Sequence, residues 1–203
     1  MDRDRDGWDF QEWQAALGGL APEAAALVGL AAAERIAGCL RDERFRSHAA
    51  GEADVVEELL AGCWEGAAPE RLRELAAAVE ECSVAYADLV MDGDDDEEVP
   101  EGALMLHLDA LTAVAEAAAA CAGGPWDGAL RCLQTTAMAA VSALERDPRA
   151  LGADVELRRQ REDLARVRAG DGGVRVTADL RGRAREDAQA WHRAVEELAL
   201  DHD

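Results

Sequence analysis

The side chains best equipped for chemistry in this sequence are carboxylates, and they are densest between Asp92 and Glu101. Asp92, Asp94, Asp95, Asp96, Glu97, Glu98 and Glu101 place seven acids in ten residues with no base among them. Asp92, Asp94 and Asp96 fall at positions one, three and five of a would-be EF-hand loop. Position six, where the sharp turn needs glycine, is Glu97, and position twelve, where a bidentate glutamate should close the cation's shell, is Ala103. The stretch 91–101 therefore reads as a solvated acidic loop, and its functional form would be electrostatic docking of a basic partner.

Other chemistries find less support. Cys39, Cys63, Cys82, Cys121 and Cys132 contain no close pair with zinc or redox spacing, and their odd number argues against a disulfide framework, so they read as buried, reduced thiols. His48, His192 and His202 lie near helix or chain ends. His107 sits near Asp109, but residues two apart on a helix point to different sides and do not converge on a metal. Ser47, Ser83 and Ser142 lie in no nucleophile elbow, and the absence of lysine excludes both a phosphate loop ending in lysine and Schiff-base chemistry. No catalytic residue, metal ligand or cofactor is assigned. A carboxylate-based enzyme would draw on Glu34, Glu65, Asp109 or Glu116, each of which interrupts or borders an apolar stripe.

The elements that must position these groups read as helices almost throughout. Ala, Leu, Glu and Arg dominate, β-branched residues are sparse, and apolar positions recur at three and four. A short helix is predicted over Trp8 to Leu17, and a second from Pro22 toward Ala49. A third spans Glu52 to Glu65. The clearest periodicity follows Pro69, where Leu72, Leu75, Val79, Cys82, Tyr86 and Leu89 mark one face of five turns. Pro100 opens the next helix, with Leu104, Leu108, Leu111 and Val114 as its apolar residues and Gly123-Gly124 as its stop. Pro125 starts another, with Leu130, Leu133, Ala137, Val141 and Leu144 inward. Asp147-Pro148 precedes a more polar helix ending near Ala169, and a last one begins at about Leu180 or Ala184 and reaches Leu200. The alanines from Ala115 to Ala120 suit close helix packing better than low-complexity disorder. Short connections between amphipathic helices predict an all-α, compact antiparallel bundle of about seven or eight helices, as a single helical domain over 1–203.

Charge sets the class of partner. The 203 residues carry 43 acids and 21 bases, all arginine, for a net charge of -22, while 49% hydrophobic residues leave enough for a core. Residues 1–130 hold 29 acids and 8 arginines, whereas residues 131–203 hold 14 acids and 13 arginines, so the helices of 148–200 are charge-balanced. Nucleic acid and anionic membrane both demand a basic face, and neither is expected as a partner. No stretch of 18 uncharged apolar residues exists, and Met1 to Asp9 is too charged for a secretory signal, so a cytoplasmic setting is expected. Self-association through the charge-balanced third is a further partner mode.

Several strings, in order, resemble the YjaG-like family, a bacterial group of all-helical proteins that form a domain of unknown function. They are Ala33-Glu34-Arg35, Leu60 to Cys63-Trp64-Glu65, Leu108-Asp109-Ala110 before an alanine-rich helix, Thr135-Thr136, and Asp147-Pro148 before a charged helix. The similarity covers roughly residues 25–185. The chain departs from the pattern in its alanine-rich core and in a tail from about Gln189. The resemblance implies a compact helical fold in the bacterial cytoplasm and no activity. Glu34, Arg35, Trp64, Glu65 and Asp109 match the family's strings, with a structural reading in which the Trp indole is hydrogen-bonded and acid and arginine pair across helices. The expectation is a non-enzymatic, acidic interaction protein, capturing a basic protein as an immunity or inhibitor protein captures a toxin. The alternative is a carboxylate-dependent enzyme of an unrecognised helical class.

Overall fold

The structure, a computed structural model, describes residues 8–41, 52–92, 101–142, 152–170 and 174–200. Among these residues it contains eight α-helices and no strand: α1 (Phe10–Gly18), α2 (Pro22–Ile36), α3 (Glu52–Glu65), α4 (Pro69–Asp92), α5 (Glu101–Cys121), α6 (Asp127–Ser142), α7 (Ala153–Ala169) and α8 (Val174–Leu200). The fold is the expected all-α bundle. Residues 93–100, which hold Asp94, Asp95, Asp96, Glu97 and Glu98, lie outside the described residues, as do the side chains of Asp92 and Glu101.

Local chemistry accounts for several helix ends. The Asp9 carboxylate accepts from the backbone N–H groups of Gln11 at 2.9 Å and Glu12 at 3.0 Å, capping α1, and Pro22 occupies the first turn of α2. Helices α3 and α5 end alike. Gly66 (φ 71°) and Gly123 (φ 81°) adopt the left-handed conformation, and the following amides bond back, Ala67 N–H to Gly62 O at 2.9 Å and Gly124 N–H to Ala119 O at 3.0 Å. These are Schellman turns, for which glycine carries no Cβ penalty.

Helix α2 is the hub. From Ala25 to Ile36 only Leu27 is not fully buried, so this helix is surrounded, and it packs on α5, α6, α7 and α8. Small residues permit the approach: a Cβ on Gly29 would lie 2.9 Å from Ala129 Cα of α6. The buried apolar residues form one core running from Trp8 to Val195. The helix predicted to continue toward Ala49 instead tightens into a 3₁₀ turn over Ala37–Arg41, with residues 42–50 outside the described set. The cause is tertiary, since Gly38 presses on α8 so closely that a Cβ there would sit 2.1 Å from Ala188 O. The last helix begins at Val174 rather than at Leu180 or Ala184. Its β-branched first turn is unfavourable in isolation, but Val176 packs on the core and faces Gly170, whose missing side chain leaves the room.

Alanine is no obstacle to burial. Ala113, Ala117 and Ala118 of α5 are at most 1% exposed, in a helix that runs unbroken through the alanine tract. No helix among the described residues is long and apolar enough to cross a membrane.

Candidate functional site

Arg35 emerges from the last turn of α2 and is 1% exposed, so its charge must be met inside the protein. Helix α7 meets it. Glu156, Gln160 and Asp163 recur at four and three, one face of that helix, and all three are buried. Arg35 Nη2 donates to Glu156 Oε1 at 2.8 Å, Nε bridges both Glu156 oxygens at 3.2 Å, and Nη1 donates to Asp163 Oδ2. Gln160 Nε2 donates to Leu133 O at 3.0 Å and to Glu156 Oε1 at 3.2 Å, tying α6 into the network. Arg183 of α8 donates to Asp163 Oδ1 at 3.2 Å, so two arginines balance two buried acids. Burial alone would lower the Arg35 pKa, but the charges of Glu156 and Asp163 and their hydrogen bonds more than reverse this and raise it. The guanidinium is charged at every accessible pH.

One residue earlier, Glu34 holds a second junction. Its Oε2 accepts from Trp64 Nε1 of α3 at 2.9 Å, and its Oε1 accepts from Arg185 Nε of α8 at 3.0 Å. Adjacent residues of α2 therefore fasten three partners, Arg35 holding α7 while Glu34 holds α3 and α8. Beside Glu34 lies a cleft of about 440 Å³, walled by Glu57, Arg41 and Arg185 over a floor that includes Leu40, Val56 and Leu60. Both Glu34 oxygens are engaged by the protein, which fixes the carboxylate as an anchor.

The remaining sequence candidates do not gather there. Glu65 is on the outside of α3, 3.7 Å from Arg181, and Glu116 pairs with Arg131 at 2.7 Å across the α5–α6 surface. Asp109 is half-buried on α5, and its desolvation pushes the carboxyl pKa up to about 6. Its charge is felt by the Cys39 thiol, which is already pushed up by burial. His107 is buried, and neither it nor Asp109 lines the cleft. No group of three or more His, Cys, Asp or Glu side chains that could hold a metal ion occurs among the described residues.

Exposed acids occupy the outer faces of α3 and α4. Asp54, Glu57, Glu58 and Glu65 follow one stripe of α3, while Glu70, Glu74 and Glu81 follow one of α4, with Glu80 beside it. Arg71 binds Glu58 and Glu74, and Arg73 lies 3.6 Å from Glu70. Asp54, Glu57, Glu80 and Glu81 have no ion pair among the described residues. Of the arginines of α7 and α8, Arg159 meets Asp187, Arg166 meets Asp179 and Arg183 meets Glu162 within the carboxyl-terminal part, while Arg161, Arg181 and Arg185 reach Glu12, Glu65 and Glu34 of earlier helices.

Sequence reasoning missed Glu156, Gln160 and Asp163. The signal was present in two halves: a Glu34-Arg35 pair following the apolar run of α2, and a polar stripe at helical spacing in α7 that needed a reason to be buried. Compared with family models, with curated proteins and with solved structures, the chain matches none.

Proposed function

We propose that this chain is a non-enzymatic interaction protein whose acidic α3–α4 face, extended by Asp92, Asp94, Asp95, Asp96, Glu97, Glu98 and Glu101, docks a basic protein. The observation that carries the reading is the set of exposed acids, Asp54, Glu57, Glu80 and Glu81, that have no ion pair among the described residues, on helices whose described bases are Arg71 and Arg73. Acids left unneutralised on one side repel each other and are relieved by a complementary cation. Charge arranged in this way mainly accelerates association and selects among partners, and its effect fades with salt. An immunity or inhibitor protein that captures a toxin is the form of partnership this chemistry suits.

The enzymatic alternative would rest on Glu34, the buried acid that opens on the cleft. Its bonds to Trp64 and Arg185 favour an anchor over a proton carrier. Membership of the YjaG-like family belongs to the same proposal, on the order of the strings around Glu34, Trp64 and Asp109, and brings no activity with it. A cytoplasmic setting is also part of it, since five free cysteines suit a reducing compartment.

The test is capture from an extract of the source cells on the immobilised chain at about 10 mM salt, where the Debye length is about 30 Å. A basic protein should be retained, be released by salt, and be lost to a variant with Asp94, Asp95, Asp96, Glu97 and Glu98 changed to amides together with Asp54, Glu57, Glu80 and Glu81. Retention of the same protein by that variant, or no retained basic protein, overturns the reading.

A further inference from the structure

We propose that the cleft beside Glu34 binds a small monocarboxylic acid, with the carboxylate held by Arg185 and Arg41 and a short apolar body resting on Leu40, Val56 and Leu60. At about 440 Å³ the cleft has the size of a small-molecule site, and it sets a few charged groups around an apolar floor, the combination such sites use. It lies where α2, the 3₁₀ turn, α3 and α8 meet.

Arg185 is oriented for this task from behind. The Glu34 side chain is 5% exposed; its Oε2 is fixed by Trp64 Nε1, and its Oε1 accepts from Arg185 Nε. A buried, immobile carboxylate thus sets the plane of the guanidinium, whose Nη1 and Nη2 have no hydrogen-bond partner among the described residues. The Arg185 side chain is 55% exposed and lines the cleft, so this fork is open to a ligand. Two N–H donors in one plane match the two oxygens of a carboxylate. Arg41, exposed at the end of the 3₁₀ turn, lines the same cleft and has no ion pair among the described residues. The backbones that carry the two arginines are locked together, because Gly38 of the turn abuts Ala188 O of α8. The cations are therefore in place before a ligand arrives, which lowers the ordering cost of binding.

Charge selects the class of ligand. A molecule of net charge -22 repels anions at long range, and the repulsion grows with each charge the anion carries. Glu57, on the wall of the cleft and without an ion pair among the described residues, opposes a second negative charge locally. Phosphate and dicarboxylates bring that second charge, and a monocarboxylate does not. An apolar amine would meet two guanidinium groups. The inference does not rest on the docking reading, since neither arginine belongs to the acidic face.

The test is a titration of the full chain, carbon-13-labelled at its leucine and valine methyl groups, with 4-methylpentanoate followed by NMR. The Leu40, Val56 and Leu60 methyl signals should shift together and saturate, with a Kd on the order of 1 mM or below. The neutral isostere 4-methylpentanamide and inorganic phosphate should each bind about tenfold more weakly or less, because the amide forfeits the charge-assisted bonds and phosphate brings the extra charge. Arg41→Gln breaks no ion pair among the described residues and should weaken binding about tenfold at an unchanged melting temperature. Arg185→Gln, shown to be folded by its dispersed methyl spectrum, should weaken it at least as much. Overturning results are the absence of saturable shifts at these methyls with either 4-methylpentanoate or phenylacetate up to about 50 mM, equal binding of acid and amide, tighter binding of phosphate, or undiminished binding by both arginine variants.

Discussion

Replacing Arg35 with methionine keeps the long stem but leaves Glu156 and Asp163 buried without their shared cation. Breaking a buried ionic group by removing one partner costs about 3–5 kcal/mol, so R35M should lower the urea unfolding free energy by that amount. Arg71, whose side chain is 49% exposed, pairs with Glu58 and Glu74 at the surface, and R71A should change it by less than about 1 kcal/mol. Equal losses from the two variants would contradict the buried network. Asp109 makes a prediction of opposite sign. Its folded-state pKa is raised by desolvation from the ordinary 3.8 to about 6, so between those values the folded chain binds more protons than the unfolded one. Its contribution to stability therefore falls as pH rises through that window and stays low above it. D109N, neutral throughout, should raise the melting temperature relative to wild type at pH 7 and lose that advantage near pH 3.5. A constant difference across the range would mean that the carboxyl is not desolvated.

At the scale of elements, helix contacts depend on small residues and single bonds whose loss is specific. Gly38→Ala would force a Cβ against Ala188 O, 2.1 Å away, and α8 must shift; overpacking of this kind costs about 1–3 kcal/mol, readable as a lower melting temperature. Trp64→Phe removes the indole donor from Glu34 Oε2 and should cost about 1–3 kcal/mol, because the buried oxygen is left unmet. A W64F chain as stable as wild type would show that the α2–α3 junction rests on packing alone. Helices such as α3, bounded at Glu52 and Glu65, were legible in the sequence because apolar spacing, proline starts and glycine stops are local properties. The stripe Leu72, Leu75, Val79 of α4 is buried for the same reason. What could not be read locally is set by partners distant in sequence: the 3₁₀ turn at Ala37, the early start of α8, and the α7 face that answers Arg35 from across the bundle. The isolation of Glu34 from Glu65, Asp109 and His107, none of which lines its cleft, is of this kind.

For the whole molecule, the net charge of -22 divides into two regimes. Toward the carboxyl terminus acids and arginines are nearly equal in number; Arg159, Arg166 and Arg183 pair with acids of that part, while Arg35 of α2 reaches in to its buried Glu156 and Asp163. On α3 and α4 the acids outnumber their bases. The central claim is thus about where the charge lies, and it is separable from how much charge there is. Changing Asp54, Glu57, Glu80 and Glu81 to amides removes four charges from the proposed face; changing Glu23, Asp127, Asp154 and Glu186 to amides removes four exposed charges from elsewhere. The most direct measurement is the association rate constant of each variant with the captured basic protein, followed by stopped flow over a series of salt concentrations. The first variant should associate more slowly than wild type with a flatter salt dependence, the second nearly as wild type. Equal slowing in both would reduce the interaction to net charge and contradict a docking face on α3 and α4.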